Sequence, residues 1–149
     1  MTNNVDDGRT AASLKMYGSS KASDVTMSGS GYLKVKLYDK SILEDIYYEH
    51  EGEKATLNVS NSAIVTTSGN NKNNFKNIEV NVYDNGTIEN SIFSGNTIIT
   101  TLDSTQPEND GLGEKTIKNV ILNDKTELRS SFGANDKSNS IVESIIAND

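Results

Sequence analysis

The densest group of side chains that could carry out acid–base or metal chemistry lies in residues 44–53, Glu-Asp-Ile-Tyr-Tyr-Glu-His-Glu-Gly-Glu. This segment contains the only histidine of the chain, His50, between Glu49 and Glu51. Imidazole and carboxylate groups are common metal ligands, and imidazole changes its charge near neutral pH. Consecutive strand residues point to opposite faces, so these three side chains do not converge on one ion. The pattern favours a solvated corner.

Paired carboxylates are the second chemistry to consider, because glycoside cleavage needs two acids roughly 5 to 10 Å apart. Stacked strands could bring Asp39 near Glu44, or Asp84 near Glu89, at such a separation. With 21 acidic residues in 149, such pairs also arise by chance. The sequence has no Gly-x-Ser-x-Gly elbow and no phosphate loop after the glycines at 111 and 113. We therefore predict no catalytic residues and a protein that is not an enzyme.

Three tyrosines occupy the fourth position of a repeated nine-residue pattern. Across the copies this position holds Tyr17, Tyr38, Ser60, Tyr83, Asp103 and Asn123. It follows an apolar position that points inward, so it points outward, and its side chains would form one external column. Tyrosine rings in such a column can stack on sugar rings or pack against another protein. We predict Tyr17, Tyr38 and Tyr83 as binding residues, although tyrosine is also simply favoured on exposed strands.

The fifth position of the same pattern is occupied by small or acidic residues. The copies place Gly18, Asp39, Asn61, Asp84 and Asp124 there. Asn and Asp side chains bond to the backbone of the corner that they occupy, and stacked amides form ladders. Neighbouring carboxylates could instead bind calcium, but the glycine-and-aspartate nonapeptide of calcium-binding repeats is absent. We predict a structural ladder, with no metal and no cofactor.

These positions belong to a pattern of alternating apolar and polar residues, seen most clearly at residues 80–88 as Val-Asn-Val-Tyr-Asp-Asn-Gly-Thr-Ile. Copies begin, in steps of 20 to 23 residues, at Leu14, Val35, Leu57, Val80, Thr100, Val120 and Val142. The period of two within a copy indicates strands, and the longer period indicates units that stack on each other. We predict an all-β, parallel β-helix or β-solenoid of about six to seven rungs. An antiparallel β-sandwich is the alternative, but it does not return the same residue type to the same position.

The predicted solenoid is one domain over residues 1–149. Residues 1–13 precede the first copy and are predicted to form an N-terminal tail or cap. Residues 103–114 interrupt the pattern and contain the only proline, Pro107. An irregular insert is predicted there, because proline cannot donate to a strand ladder.

Composition restricts the class of partner. The formal net charge is −7, and nucleic acid or an anionic membrane would require clustered basic residues, so neither is predicted as a partner. No apolar run approaches the length of a membrane helix, so membrane insertion is not expected. The polar start of the chain lacks the apolar stretch of a signal peptide. We expect either a cytoplasmic protein or a segment of a longer one.

Residues 55–63, Ala-Thr-Leu-Asn-Val-Ser-Asn-Ser-Ala, and residues 82–91, Val-Tyr-Asp-Asn-Gly-Thr-Ile-Glu-Asn-Ser, resemble passenger domains of bacterial autotransporter adhesins. The resemblance extends over residues 14–146. It implies a right-handed β-helix, secreted or displayed on the surface of a Gram-negative cell and used for attachment or self-association. A host or bacterial surface glycan or protein would then be the partner.

Three functions follow as hypotheses. The first is a non-catalytic adhesion or structural module. The second is an enzyme resembling the β-helix polysaccharide lyases or glycoside hydrolases, which would need basic residues for a uronate, and only Lys34, Lys36 and Lys40 cluster suitably. The third is a cytosolic solenoid that forms filaments, for which concentration-dependent fibres would be the mark.

Overall fold

The computed structural model describes residues 2–6, 9–29, 31–50, 55–102, 113–131 and 139–148. Within these residues the chain contains strands and turns and no helix. The strands are β1 (Thr2–Asp6), β2 (Arg9–Met16), β3 (Lys21–Ala22), β4 (Val25–Gly29), β5 (Tyr32–Leu37), β6 (Ile42–Glu44), β7 (Ile46–His50), β8 (Ala55–Val59), β9 (Ile64–Thr66), β10 (Asn73–Lys76), β11 (Glu79–Tyr83), β12 (Thr87–Ser94), β13 (Ile98–Leu102), β14 (Glu114–Leu122), β15 (Glu127–Ser131) and β16 (Asn139–Ala147).

These strands build a parallel β-solenoid of about five turns, close to the six to seven rungs predicted. The first sheet has the order β1-β2-β5-β8-β11-β13-β15. The second has the order β3-β6-β9-β12-β10-β7-β4, and β14 and β16 continue it beyond β12. All described pairings are parallel except that of β1 with β2. The predicted fold class is therefore confirmed, while the right-handed coil stays a prediction.

The repeat is in the predicted register through its first four copies. Leu14, Val35, Leu57 and Val80 face one another in successive strands of the first sheet. They point inward because strand side chains alternate and apolar burial favours the inner face. Val35, Leu57 and Val80 are at most 2 % exposed. The columns on which the predicted sites depend therefore exist in this part of the chain.

The last three predicted copies are out of register. Ile99, and not Thr100, lies opposite Val80, and Leu128 lies opposite Ile99. Val120 and Val142 belong to the second sheet, in β14 and β16. The step between facing residues of β13 and β15 is 29 residues, because the connection through residues 103–112 lengthens that coil. The assumption of a nearly constant period was wrong there.

The second sheet is creased along its length. The short strands of this sheet are separated by breaks that contain one residue with positive φ. Asp24, at 54°, precedes β4, and Asp45, at 51°, lies between β6 and β7. In the long strands β12, β14 and β16 the same bend occurs inside the strand, at Asn90, Asn119 and Ser144, with φ of 52 to 54°. Asn and Asp tolerate this conformation better than other side chains because they can bond locally. The crease lets one sheet form two sides of the coil.

The interior contains an aromatic stack on the second sheet. Phe75 and Phe93 lie with ring centroids 5.2 Å apart and an angle of 13° between their planes. Tyr48 lies 6.1 Å from Phe75 and is tilted against it. All three side chains are at most 2 % exposed, and they join the aliphatic columns of the first sheet in one core cluster.

Asn73 is a buried polar residue whose side chain takes the place of backbone hydrogen bonds that are absent between β10 and β7. The strands β10 and β7 pair at only one position, Asn74 with Tyr47. The Asn73 Oδ1 accepts a hydrogen bond from the Ile46 N–H at 2.8 Å, and its Nδ2 donates to the Thr66 carbonyl at 2.8 Å. The side chain thereby attaches β10, and the loop that precedes it, to the rest of the solenoid.

Replacing Asn73 with alanine should lower the free energy of unfolding by about 2 kcal/mol, because the buried Ile46 N–H loses its partner. Urea denaturation followed by circular dichroism measures the change. Asn74→Ala, an exposed position on the same strand, is the control and should change it by less than about 0.5 kcal/mol. Equal midpoints for the two variants would contradict this role of Asn73.

The two ends of the solenoid differ. Residues 2–6 and 9–13, within the predicted tail or cap, are strand, and β1 pairs antiparallel with β2 along the outer edge of the first sheet. At the other end, β15 and β16 each pair with one described strand only. Of the predicted insert, residues 103–112 lie outside the described residues, Gly113 precedes β14, and Glu114 begins it.

Candidate binding surface

The predicted tyrosine column begins with a pair of stacked rings. Tyr17 and Tyr38 directly follow Met16 and Leu37, which face each other in β2 and β5. Their ring centroids are 4.9 Å apart with 7° between the planes. Tyr17 is 57 % exposed and Tyr38 is partly buried beneath it. The buried Met16 and Leu37 fix the backbone below them, so the stack stands on a rigid base.

Ser60 interrupts the column on the next coil. It is buried, and its hydroxyl donates to the Leu37 carbonyl at 3.1 Å. Tyr83 follows one coil further on and is partly buried. Burial raises the pKa of Tyr83, and the neighbouring Glu79 carboxylate and Tyr38 ring raise it further. Tyr83 therefore remains an uncharged phenol at neutral pH, as stacking and hydrogen bonding both require.

The column does not continue as predicted beyond Tyr83. Leu102 faces Tyr83 in β13, and Asp103 lies outside the described residues. Asn123 lies at a different corner, where its N–H donates to the Phe93 carbonyl at 2.8 Å. Sequence reasoning misplaced it because the same polar residue types follow strands at several corners. The structure therefore brings Tyr17 and Tyr38 into contact and places Tyr83 on the same line of the surface.

The predicted Asx column is a corner ladder through Asp84. Gly18, Asp39, Asn61 and Asp84 all have positive φ, between 49° and 62°. The Asp39 carboxylate accepts a hydrogen bond from the Gly18 N–H at 2.8 Å, which ties one coil to the next. The Asp39 side chain therefore satisfies a backbone N–H at this corner.

Asp124 does not belong to that ladder. It lies at the opposite corner, where its carboxylate accepts from the Gly95 N–H at 2.8 Å. One coil earlier at the same corner, the Asn77 Oδ1 accepts from the Asn96 N–H at 3.0 Å. The prediction that Asp124 stacks above Asp84 was wrong, because it assumed a nearly constant repeat period.

Three of the four acids considered for catalysis are engaged in local interactions, whereas the Asp84 Oδ1 is buried and has no hydrogen-bond partner among the described residues. Glu44 pairs with Lys21 at 2.9 Å, and Asp39 holds the corner described above. Glu89 accepts from the Thr66 hydroxyl at 2.6 Å and pairs with Lys118 at 2.9 Å. No group of three or more His, Asp or Glu residues that could hold a metal occurs in the described ranges. The predicted cluster at Glu49, His50 and Glu51 lies outside the residues whose side chains are described.

The pKa of Glu89 is lowered below its ordinary value of 4.5. Burial by itself would raise this pKa, but the hydrogen bonds from Thr66 and Lys118, together with the lysine charge, outweigh burial. A carboxyl whose folded pKa is depressed stabilises the fold above its unfolded pKa. That contribution is lost as the pH falls through the folded pKa.

Glu89→Gln should therefore lower the free energy of unfolding by about 1 kcal/mol at pH 7 and by close to nothing at pH 3. Urea denaturation at both pH values measures the difference. Glu127→Gln is the control, since Glu127 and Arg129 form a pair whose side chains are more than half exposed, and the change should alter stability by less than about 0.5 kcal/mol. The same loss for Glu89→Gln at both pH values would show that the ionised carboxylate is not what stabilises the fold.

A second surface feature, which the sequence reasoning missed, is an open groove of 580 Å³ on the creased side of the solenoid. It lies between β7 and the loop of residues 67–72, and Tyr47, Asn71, Lys72 and Asn74 are among its lining residues. Tyr47 is 53 % exposed there. The polar run at residues 70–74, Asn-Asn-Lys-Asn-Asn, was the available signal, because it is too long for a tight corner.

No family model, no curated protein and no solved structure matches the chain. The resemblance to autotransporter passenger domains thus stays a prediction. Among the described residues there is no helix long and apolar enough to cross a membrane.

Proposed function

We propose that the chain is a non-catalytic adhesion or structural module, a β-solenoid displayed at a bacterial cell surface that mediates attachment or self-association. The observation that carries the proposal is the exposed stack of Tyr17 and Tyr38. A stacked aromatic pair at the ends of two paired strands offers apolar area and hydroxyl groups with little conformational entropy left to lose. Tyr83 extends the same line of surface.

The engaged acids support binding over turnover. Glycoside cleavage by paired carboxyl groups requires a carboxyl that can exchange a proton with substrate. Asp39, Glu44 and Glu89 instead bond to the Gly18 N–H, to Lys21, and to Thr66 with Lys118. The alternative of a polysaccharide lyase or glycoside hydrolase therefore has less support than a binding module.

Self-association is supported by apolar residues on β16. Val142 lies above Ile117 and is 44 % exposed, whereas Ile117 is fully buried. Ile145, above the buried Val120, is only partly covered. Apolar residues that face the coil axis on a strand with one partner among the described strands favour the addition of another strand. The same features keep the filament-forming solenoid as the second alternative.

The test combines a glycan array, a turnover assay and sedimentation velocity. Attachment through the column predicts saturable binding without product release, lowered about tenfold in a Tyr17→Ala/Tyr38→Ala double variant. Tyr32→Ala is the matched control, because Tyr32 lies on the same sheet outside the column and packs beside Lys34. Product release would favour the enzyme alternative, and long polymers would favour the filament. Binding that survives the double variant would overturn the role of the column.

A further inference from the structure

The groove beside Tyr47 has walls that are held in place by the fold. The Asp45 carboxylate accepts hydrogen bonds from both the N–H and the hydroxyl of Ser68, which anchors the start of the loop. Lys72 donates to the carbonyl and to the side-chain oxygen of Asn119, at 3.0 and 3.1 Å, which anchors its end. Asn73 secures the strand that follows. The groove is therefore preformed, and a ligand would not have to order the loop.

The charged and amide side chains of the groove determine which class of ligand it can bind. The Asp45 carboxylate and the Lys72 ammonium are each hydrogen-bonded to neutral groups within the protein, so both keep their charges. Asp24, Asn70 and Asn71 line the groove in addition. Amides both donate and accept hydrogen bonds, so they match hydroxyl groups better than they match an ion. The carboxylates oppose an anionic ligand, and the lysine opposes a cationic one.

Tyr47 supplies an apolar surface among these polar groups. Its side chain is 53 % exposed, and β7 carries it on the outside of the coil while Ile46 and Tyr48 point inward. An exposed aromatic ring next to several amides matches a ligand with an apolar face and a rim of hydroxyls. A pyranose ring has that arrangement. The groove volume of 580 Å³ lies within the range of small-ligand sites.

We propose that this groove binds an uncharged saccharide, with Tyr47 beneath a sugar ring and Asn70, Asn71 and Asn74 at its hydroxyl groups. The site lies on a different sheet from the tyrosine column and does not depend on it. A failure of one site would leave the other unaffected.

Isothermal titration of the full 149-residue chain with four neutral hexasaccharides, cellohexaose, maltohexaose, mannohexaose and chitohexaose, tests the proposal. Polygalacturonate serves as the anionic probe. At least one neutral saccharide should bind with a Kd at or below about 1 mM. Tyr47→Ala should weaken that binding about tenfold, while Tyr47→Phe, which keeps the ring, should retain it. The Tyr17→Ala/Tyr38→Ala variant should bind as the wild type does, and circular dichroism checks that each variant is folded.

Any of four results would overturn the proposal. The first is that none of the neutral saccharides binds at up to about 10 mM. The second is that the affinity is the same in Tyr47→Ala. The third is that polygalacturonate binds and the neutral probes do not, because the groove would then recognise charge. Loss of binding in the Tyr17→Ala/Tyr38→Ala variant alone would assign the sugar to the tyrosine column and also contradict the assignment to the groove.

Discussion

Replacing Phe93 with alanine should lower the free energy of unfolding by about 3 to 5 kcal/mol. The side chain is fully buried and stacked on Phe75 at 5.2 Å. Its removal loses the transfer free energy of a large apolar group and leaves a cavity that stacked backbones cannot easily close. Since each coil contacts only its neighbours, the loss is expected on both sides of β12. Urea denaturation followed by circular dichroism measures the total, and hydrogen exchange locates it.

Two variants bracket that result. Phe93→Leu keeps most of the volume and should cost less than about 1.5 kcal/mol, so it remains folded if the alanine variant does not. Tyr47→Ala removes an exposed ring from β7, which β10 separates from β12 in the same sheet, and should change stability by about 0.5 kcal/mol or less. A loss for Tyr47→Ala as large as that for Phe93→Ala would mean that aromatic removal from this sheet destabilises irrespective of burial.

Gly86→Ala should lower the free energy of unfolding by about 3 kcal/mol. A Cβ at this position would lie 2.5 Å from the Val59 carbonyl oxygen and 3.0 Å from the Tyr83 oxygen. Both obstacles are backbone atoms, and the Val59 atom belongs to the preceding coil, so neither can move without opening the stack. Gly113, whose Cβ would lie 2.3 Å from the Asp84 backbone carbon, should respond in the same way.

Gly69→Ala is the matched control for this prediction. A Cβ there has no neighbour within 4 Å. The change should be neutral or stabilise the fold by about 0.5 kcal/mol, because alanine restricts the unfolded chain. Thermal and urea unfolding of the three glycine variants compare the sites directly. If Gly86→Ala were no more damaging than Gly69→Ala, close stacking at this corner would not be what requires glycine.

The aliphatic face of the first sheet could be predicted from the sequence because the polarity of each residue indicates whether its side chain is buried. Val35, Leu57 and Val80 alternate with polar residues, and each alternation marks a strand with one inner face. Their spacing also made the parallel stacking predictable. Tyr17 and Tyr38 were located correctly for the same reason, since a residue that follows an inward position must point outward. Whether that column binds a partner stays a prediction.

The sequence predicts which residue types occupy the corners, but it does not predict which corner each residue occupies. Asp and Asn suit every position with positive φ, and this chain has such positions at two corners and at the crease. Asp84 and Asp124 therefore look alike in the sequence, although they lie at different corners. Nothing local distinguishes them, because the distinction depends on which strand comes next.

The sequence by itself determined that apolar and polar residues alternate along the strands, that the strands stack in parallel, and that Asn and Asp occupy the bends. Only the tertiary structure decided which residues face one another from Ile99 onward. Leu128 faces Ile99, and the two are 29 residues apart in the sequence. The tertiary structure also brought Tyr47, Asn70 and Asn71 around one groove. The physical reason is that side-chain burial is encoded at each position, whereas the length of a connection is constrained only by the distance that it must span.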